Sequence, residues 1–357
     1  MRQEFFYFKK MIDYLIIGGG LAGVAFAETA LQNNKKILVI DSGQNSSSKV
    51  AAGLYNPVIL KRFTPVWDAE SQLLVLNDFY RKLELKLDRH FDFKTPILRK
   101  FFSIEEQNNW YTASDKVDLS PFLSTKLISQ KFPGIDSPFD YGEVKATGYV
   151  KVSLLLKCFM QDLEDHNLCI IDNFDYSLLC FGDKYVQYKD FKARNIVFAE
   201  GFGMHQNPFF NDLPLDGVKG ELFIIKAPSL MLDVIVNTSV FILPLGGGLF
   251  KVGATYNWND KTSTPTQEGK EELIYRIKEI LSCEFEIVSH YAGVRPTVKD
   301  RKPLVGMHPD FKNMYILNGL GTRGVMLGPS MAKALFEFIE DGRPLAPEIN
   351  INRFRKK

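Results

Sequence analysis

Apolar residues form short uninterrupted runs at the two ends of the chain, and each run is followed by a turn or a helical pattern. Residues 12–17 (IDYLII) and 36–40 (KILVI) predict buried strands, and residues 21–32 between them predict a helix with small residues on one face. Near the other end, residues 314–317 predict a strand and residues 330–339 a helix. Strands that alternate with helices are typical of a parallel sheet covered on both faces.

The middle of the chain follows a different pattern, in which aromatic residues are dense and helices are fewer. Residues 69–87 and 150–166 predict helices, and a charged helix is expected at 267–281. Residues 218–258 predict several strands with a hairpin at the three glycines 246–248. A largely antiparallel sheet is therefore expected between the two α/β segments.

Length and charge limit the classes of function that the chain can have. Its 357 residues suffice for about two domains. Lys and Arg number 44 against 42 Asp and Glu, a net charge of +2, so no strong field favours nucleic acid or a membrane. The apolar segment 14–27 is shorter than the roughly 18 residues that a membrane-spanning helix needs. We expect a cytoplasmic protein without a membrane partner, and both Met1 and Met11 are compatible with its start.

The cysteines and histidines show no spacing typical of a metal site. Cys158, Cys169, Cys180 and Cys283 form no CxxC pair, and each of the first three lies in a different apolar run. We therefore expect buried, reduced thiols and neither a disulfide nor a bound metal.

A glycine motif lies between the first predicted strand and the first predicted helix. Gly18, Gly20 and Gly23 have the spacing GxGxxG: the first makes a tight turn, the second lets a pyrophosphate approach the backbone, and the third lets helix and strand pack closely. The amino end of the helix offers free N–H groups to an anion. Asp41 ends the next strand, where a carboxylate can accept hydrogen bonds from a ribose hydroxyl. Together these features predict a dinucleotide site, although they do not separate FAD from NAD.

The carboxyl-terminal region carries a second glycine-rich turn. Residues 291–306 read YAGVRPTVKDRKPLVG and residues 315–330 read YILNGLGTRGVMLGPS. The second segment predicts a strand, a turn that contains Gly319, Gly321, Gly324 and Gly328, and then a helix. Such a turn directs backbone N–H groups and a positive helix end toward a ligand.

These motifs, in this order, resemble those of the D-amino-acid oxidase and glycine oxidase superfamily of flavoproteins. The shared elements are GxGxxG, the acid after the second strand, an AAG segment at 51–53, a GATx strand, GxRPxxxDxxPxxG and the closing strand–turn–helix, which together span residues 12–339. GATY (253–256) and NGLGTRG (318–324) are more similar still to the FAD domain of the bacterial bifunctional enzyme that makes 5-methylaminomethyl-uridine in tRNA.

The resemblance implies FAD as the cofactor, and non-covalent binding is expected because no cysteine or histidine is an evident attachment point. The implied cofactor-binding residues are Gly18, Gly20, Gly23, Asp41, Ala51, Ala52, Gly53, Gly201, Gly321 and Gly324. The implied fold is α/β plus α+β, a Rossmann-like FAD-binding domain with an inserted, largely antiparallel substrate domain. The expected bounds are 11–62, 147–211 and 292–357 for the FAD-binding domain, and 63–146 and 212–291 for the substrate domain.

The resemblance also implies three residues of the substrate site. Arg295 matches the arginine that binds a substrate carboxylate, Tyr256 matches a residue that lines the pocket, and Arg323 matches an arginine near its mouth. A guanidinium can form two parallel hydrogen bonds to a carboxylate. From the residues alone, Arg295 could instead form an ion pair with Asp300, Arg323 could be a solvated cation, and Tyr256 could be a packing residue. Phe241 stands where glycine oxidase has a substrate-facing tyrosine, which argues against free glycine as the substrate.

Three functional hypotheses follow. The first is oxidation of the carbon next to nitrogen in an amino acid or an N-substituted glycine, a small carboxylate-bearing amine, by hydride transfer to flavin N5. The second is oxidation of a carboxymethylaminomethyl-type uridine in tRNA, which would require a basic approach surface. The third is a non-catalytic dinucleotide-binding protein, for which Arg295 would be dispensable.

Overall fold

The computed structural model describes residues 11–44, 47–182 and 184–355. Short 3-10 helices lie at Tyr176–Leu178, Gly201–Gln206 and Ile351–Phe354. The α-helices are α1 Leu21–Gln32, α2 Ser47–Val50, α3 Ala69–Leu87, α4 Ile104–Ser114, α5 Val152–Asp165, α6 Gln267–Lys278 and α7 Gly324–Asp341. The strands are β1 Ile12–Ile17, β2 Ile37–Asp41, β3 Leu54–Tyr55, β4 Val58–Ile59, β5 Thr64–Pro65, β6 Asp92–Lys94, β7 Ile97–Lys100, β8 Tyr141–Val144, β9 Gly148–Val150, β10 Cys169–Ile171, β11 Leu179–Gly182, β12 Tyr185–Tyr188, β13 Phe191–Phe198, β14 Leu215–Lys226, β15 Ile235–Asn237, β16 Phe241–Gly246, β17 Leu249–Gly253, β18 Glu286–Val298, β19 Leu304–Met307 and β20 Met314–Asn318.

The first large sheet contains the two α/β ends of the chain. Its strand order is β10-β2-β1-β13-β12-β11, and β20 pairs with β13 and with β19. The pairs β1–β2, β1–β13, β2–β10 and β13–β20 are parallel, as the apolar runs predict. Because parallel strands end at the same edge, the residues that follow β1, β2, β13 and β20 gather at one edge of this sheet.

The second large sheet is largely antiparallel, as predicted, with the order β18-β14-β17-β16-β15-β7-β8. Only the β15–β7 pair in this order is parallel among the described strands. Side chains of directly opposed residues share a face of a sheet. One face, the site face, therefore carries Arg295, Gly220, Lys251 and Phe241. The opposite face packs its apolar side chains against α6.

Several expectations about secondary structure are confirmed and one is wrong. The bounds predicted for β1, α1 and α3 agree with the structure. Helix α7, however, begins at Gly324 and contains Pro329, whereas the sequence favoured a helix that starts after this proline. Gly324 and Gly328 are therefore helical residues and do not belong to the turn, which contains Gly319 and Gly321.

Two further expectations concern the cysteines and the domains. All four cysteines are free, but Cys180 is exposed and only Cys169 is fully buried, so the expectation of buried thiols is wrong for Cys180. The predicted domain boundary at residue 292 falls inside β18, which lies in the second sheet along its whole length. Within the described residues, no helix is long and apolar enough to cross a membrane.

Candidate active site

The GxGxxG turn is closed so tightly that two of its glycines leave no space for a side chain. Gly18 has φ +108°, and a Cβ there would lie 2.5 Å from the carbonyl oxygen of Ala199. A Cβ on Gly23 would lie 1.8 Å from the carbonyl oxygen of Gly18. The turn therefore brings β1, α1 and the end of β13 together, as the motif predicts.

Asp41 contacts the same turn from the end of β2. Its Oδ2 accepts the N–H of Gly19 at 2.6 Å, and its Oδ1 accepts the N–H of Gly43 at 2.8 Å. These two backbone donors fix the orientation of the carboxylate, while each oxygen keeps a second lone pair for another donor. The geometry is compatible with the predicted contact to a ribose.

The amino end of α1 is reached by a residue that the sequence analysis did not identify. The Oγ of Ser48, in α2, accepts the N–H of Leu21 at 3.2 Å. Gly20 is the N-cap and forms no side-chain cap, and the first turn of α1 contains no acidic residue. An anion at this helix end would meet no negative side chain from the helix itself.

A buried carboxyl group lies directly after β13. Glu200 accepts hydrogen bonds from the Tyr176 hydroxyl and from Asn207 Nδ2, the latter at 2.7 Å. Burial raises the pKa of Glu200 to about 7, against the hydrogen bonds of these two donors. The neighbouring Gly201, with φ +58°, is held by Asn318, whose Nδ2 donates to its carbonyl oxygen at 2.9 Å. Sequence reasoning predicted Gly201 and missed Glu200.

The segment of Ala51, Ala52 and Gly53 lies against the site face of the second sheet. A Cβ on Gly53, where φ is +81°, would lie 1.9 Å from the carbonyl oxygen of Val150. Lys251 reaches across from β17, and its Nζ donates to the carbonyl oxygen of Ala51 at 3.2 Å. Burial lowers the pKa of Lys251. A single lysine in the apolar run LFKVG was the available signal, and it was missed.

Arg295 lies on the site face of β18, over Gly220 of the neighbouring strand. A Cβ on Gly220 would lie 1.9 Å from Arg295 Nη2, so only glycine leaves space for the guanidinium. Arg295 Nη1 donates to the carbonyl oxygen of Thr255 at 3.3 Å, and its Cζ lies 4.7 Å from the centre of the Tyr256 ring. Burial lowers the pKa of Arg295, whereas Tyr256 raises it.

The alternative ion pair of Arg295 with Asp300 is not formed. Asp300 pairs instead with Arg353, whose Nε donates to Asp300 Oδ2 at 2.8 Å. Among the described residues, Arg295 has no carboxylate partner. A half-buried guanidinium without a counter-charge is costly, so the site is suited to an anionic ligand.

Arg323 is the N-cap residue of α7, and the turn before it is attached to the strand that carries Arg295. The N–H of Gly321 donates to the carbonyl oxygen of Pro296 at 2.9 Å. Burial lowers the pKa of Arg323, and the charge of Arg301 lowers it further. Tyr256 interacts electrostatically with both Arg323 and Arg295, so the three predicted substrate-site residues lie in one region.

Gly324 contributes to packing. A Cβ on this residue would lie 3.0 Å from Leu21 Cδ1, so its small size lets α7 approach α1. The structure thus gathers Gly18, Gly20, Gly23, Asp41 and Gly201 at one sheet edge. Residues 51–53 and the group of Arg295, Tyr256 and Arg323 lie beside the second sheet.

The model of the FAD dependent oxidoreductase family matches residues 13–338, which is most of the chain. The chain belongs to the FAD-dependent oxidoreductase family. It is therefore an oxidoreductase enzyme, and its cofactor is FAD. This assignment favours the enzymatic hypotheses over a non-catalytic dinucleotide-binding protein.

The individual relatives have low sequence identity to this chain. Glycine oxidase of Bacillus subtilis (strain 168) is 24% identical over 358 residues, covering 93% of this chain and 94% of the relative. The tRNA 5-methylaminomethyl-2-thiouridine biosynthesis bifunctional protein MnmC of Idiomarina loihiensis is 23% identical over 371 residues, covering 96% of this chain but only 59% of that protein. The crystal structure of glycine oxidase from Bacillus cereus has a TM-score of 0.75 at 20% identity, with 93% and 96% of the two chains covered. The last similarity shows the fold.

Proposed function

We propose that this enzyme oxidises the carbon next to nitrogen in a small amine that carries a carboxylate, either an amino acid or an N-substituted glycine. The observation that carries the proposal is the half-buried Arg295, which has no carboxylate partner among the described residues and lies against Tyr256. Glycine oxidase among the relatives supports the same substrate class. Phe241 lies on the site face without a hydroxyl, which favours an N-substituted glycine over free glycine.

The residues that would hold FAD divide between the two sheets. The turn of Gly18, Gly20 and Gly23 and the amino end of α1 would bind the pyrophosphate, and Asp41 the ribose. The ring would meet residues 51–53 and the site face of the second sheet. The closed positions at Gly18 and Gly23, with no acid in the first turn of α1, fit this assignment.

The side chains of the site would act mainly by binding and orientation. Arg295 would hold the carboxylate by two hydrogen bonds and thereby fix the carbon that reacts. Burial lowers the pKa of both Lys251 and Arg323, so this region disfavours added positive charge and the substrate amine would be bound neutral. FAD, when bound, supplies the chemistry of hydride acceptance from the carbon next to nitrogen. The resulting imine would be hydrolysed by water, and oxygen or another acceptor would reoxidise the enzyme.

The experiment is anaerobic mixing of the purified flavoprotein with N-substituted glycines and D-amino acids while the visible spectrum is recorded. We expect bleaching with at least one compound. Arg295→Met should retain FAD and raise the KM for that compound about 100-fold, because two charge-assisted hydrogen bonds are lost. Arg276→Met is the matched control, since Arg276 pairs with Glu272 on the surface of α6. A flavoprotein that no compound bleaches would contradict the proposal.

A second candidate is the carboxymethylaminomethyl group of a modified uridine in tRNA. It is favoured by a group of cations beside the site: Arg301 is exposed, and both Arg301 and Lys302 interact electrostatically with Arg323. This candidate would be supported if the flavin were bleached by tRNA that carries the carboxymethylaminomethyl group and by none of the small amines. Replacing Arg301 with Gln should then weaken tRNA binding and reduce its salt dependence.

A further inference from the structure

Strand β14 presents different chemistry on its two faces at three consecutive residues. Gly220 lies on the site face beneath the Arg295 guanidinium. Lys219 and Glu221 point to the opposite face, where their side chains are 0% and 3% exposed. Two buried charges directly behind the substrate-binding arginine require partners, because an unpaired buried charge is strongly destabilising.

Lys219 Nζ lies 3.7 Å from Glu221 Oε1 on its own strand, and its other partners come from residues 254–266, which we call the strap. Lys219 Nζ lies 2.5 Å from Asp260 Oδ2 and 2.5 Å from the carbonyl oxygen of Thr264. It also donates to Thr262 Oγ1 at 3.2 Å. One buried ammonium therefore binds the distal half of the strap at three points.

Glu221 fastens the end of the strap. Its Oε1 accepts the Thr266 hydroxyl at 2.7 Å, and its Oε2 accepts the Thr266 N–H at 3.0 Å. Thr266 is also the N-cap of α6, and its Oγ1 accepts the N–H of Gly269 at 3.0 Å. His290 Nε2 lies 2.7 Å from Glu221 Oε2. The last residue of the strap, Thr266, is therefore held by Glu221 and by the first turn of α6.

The proximal half of the strap runs beside β14 and carries Tyr256. The N–H and the carbonyl oxygen of Asn257 pair with those of Lys219, each at 2.9 Å. Thr255 donates its N–H to the carbonyl oxygen of Glu221 at 3.1 Å, and its Oγ1 accepts the N–H of Glu221 at 2.9 Å. Between these two anchored residues, Tyr256 is 59% exposed and has the Arg295 guanidinium over its ring.

We propose that Lys219, Glu221 and Asp260 are positioning residues, which hold the strap so that the carbonyl oxygen of Thr255 and the ring of Tyr256 orient Arg295 for the substrate carboxylate. This inference rests on the proposed role of Arg295. Little neighbouring protein restrains an exposed ring, so its position depends on the segment that carries it. The three residues act through the strap and do not touch the substrate.

Asp260 offers the mildest test, because it lies at the outer end of the network with a side chain 26% exposed. The probe is methoxyacetate, which has the shape of N-methylglycine but an ether oxygen in place of the amine, and its binding is followed by the visible spectrum of the oxidised flavoprotein. We expect Asp260→Ala to raise the Kd about tenfold and Asp260→Asn, which can still accept from Lys219, to raise it less than about threefold. Asp78→Ala, which removes a surface partner of Arg81 and Lys82 on α3, is the matched control.

A double-mutant cycle with Tyr256→Ala separates positioning from general destabilisation. If Asp260 acts through Tyr256, Asp260→Ala should change the Kd less than about threefold once the ring is absent. An equal effect in both backgrounds, or none in either, would overturn the proposal. If Asp260→Ala does not fold, Thr266→Val provides the same test, because it removes the hydroxyl that donates to Glu221 at the end of the strap. We expect it to raise the Kd for methoxyacetate about threefold.

The titration also distinguishes this proposal from the proposed function. Methoxyacetate binding without oxidation of any amine would refute the reaction and leave the strap proposal to be decided by the variants. If the spectrum of the wild-type protein does not respond to methoxyacetate, the proposed carboxylate site is refuted, and both proposals that depend on it are refuted as well.

Discussion

The edge of the first sheet that holds the GxGxxG turn and Asp41, proposed above to bind FAD and called here the cofactor edge, differs from the site face of the second sheet in the groups that form it. At the cofactor edge, backbone groups dominate: Gly18 and Gly23 are there because a Cβ would collide with main-chain oxygens. On the site face, side chains dominate: Arg295 depends on a glycine in one strand and a tyrosine in a distant segment. The first arrangement needs a short local sequence, whereas the second needs the whole sheet to be assembled.

The largest effect should come from breaking the cofactor edge. In Gly23→Ala, the added Cβ would lie 1.8 Å from the carbonyl oxygen of Gly18, and main chain cannot move aside there without opening the turn. We expect purified Gly23→Ala to contain almost no FAD, measured as the ratio of visible to ultraviolet absorbance. Gly328→Ala is the control, since its Cβ would have an ordinary contact of 3.6 Å with Ala25. A Gly23→Ala protein with full flavin content would refute the assignment of this turn.

A smaller effect should come from the site face. In Gly220→Ala, the atom that must move is the flexible end of Arg295, so the strand should survive while the guanidinium is displaced. We expect retention of FAD and a loss of carboxylate affinity of about 100-fold, or about 3 kcal/mol, measured by titration with methoxyacetate. Gly220→Ala combined with Arg295→Met should bind no more weakly than Arg295→Met alone. Additive losses would show that Gly220 acts independently of Arg295.

The smallest effect concerns Glu200, which belongs to the cofactor edge but acts through a side chain. Burial raises the pKa of Glu200 to about 7 from its ordinary value of 4.5, so the folded protein keeps a proton that the unfolded chain releases. The contribution to stability is complete below about pH 4.5 and is lost as the pH rises to about 7.

Replacing the carboxyl group of Glu200 with an amide should remove this pH-dependent loss of stability, because the amide does not titrate. We expect Glu200→Gln to gain about 2 kcal/mol relative to wild type between pH 5.5 and pH 8, measured by thermal unfolding with FAD in excess. The comparison between the two pH values cancels any constant cost of the changed hydrogen bonds with Asn207. Parallel stability curves for the two proteins would show that Glu200 titrates normally.

The sequence was most informative where one local rule determines the structure. The strands and helices around GxGxxG follow from apolar periodicity, and the family resemblance supplied Arg295, Tyr256 and Arg323, which lie in one region of the structure. These residues remain predictions as functional groups, although their proximity is a property of the structure.

The sequence failed where distant residues compensate for a local cost. Pro329 leaves the Val325 carbonyl oxygen without its helical donor, so a helix was expected to start after the proline. In the structure, the hydroxyl of Tyr80, from α3, donates to this oxygen at 3.0 Å. Lys219 was missed for the same reason, because its partners in the strap are about 40 positions away in the chain, as Asp260 is. No local pattern reports such a pairing.

Strand β18 has a consequence for recombining this enzyme with its relatives. It runs without a break from Glu286 to Val298, and it carries Arg295 beyond residue 292. A chimera joined at residue 292 would take the two halves of one strand from different parents, so Arg295 and the glycine beneath its guanidinium, Gly220, would come from different parents. Crossovers placed after Val298 would transfer β14, β18 and the strap as one unit, so Gly220, Tyr256 and Arg295 should be inherited as a block.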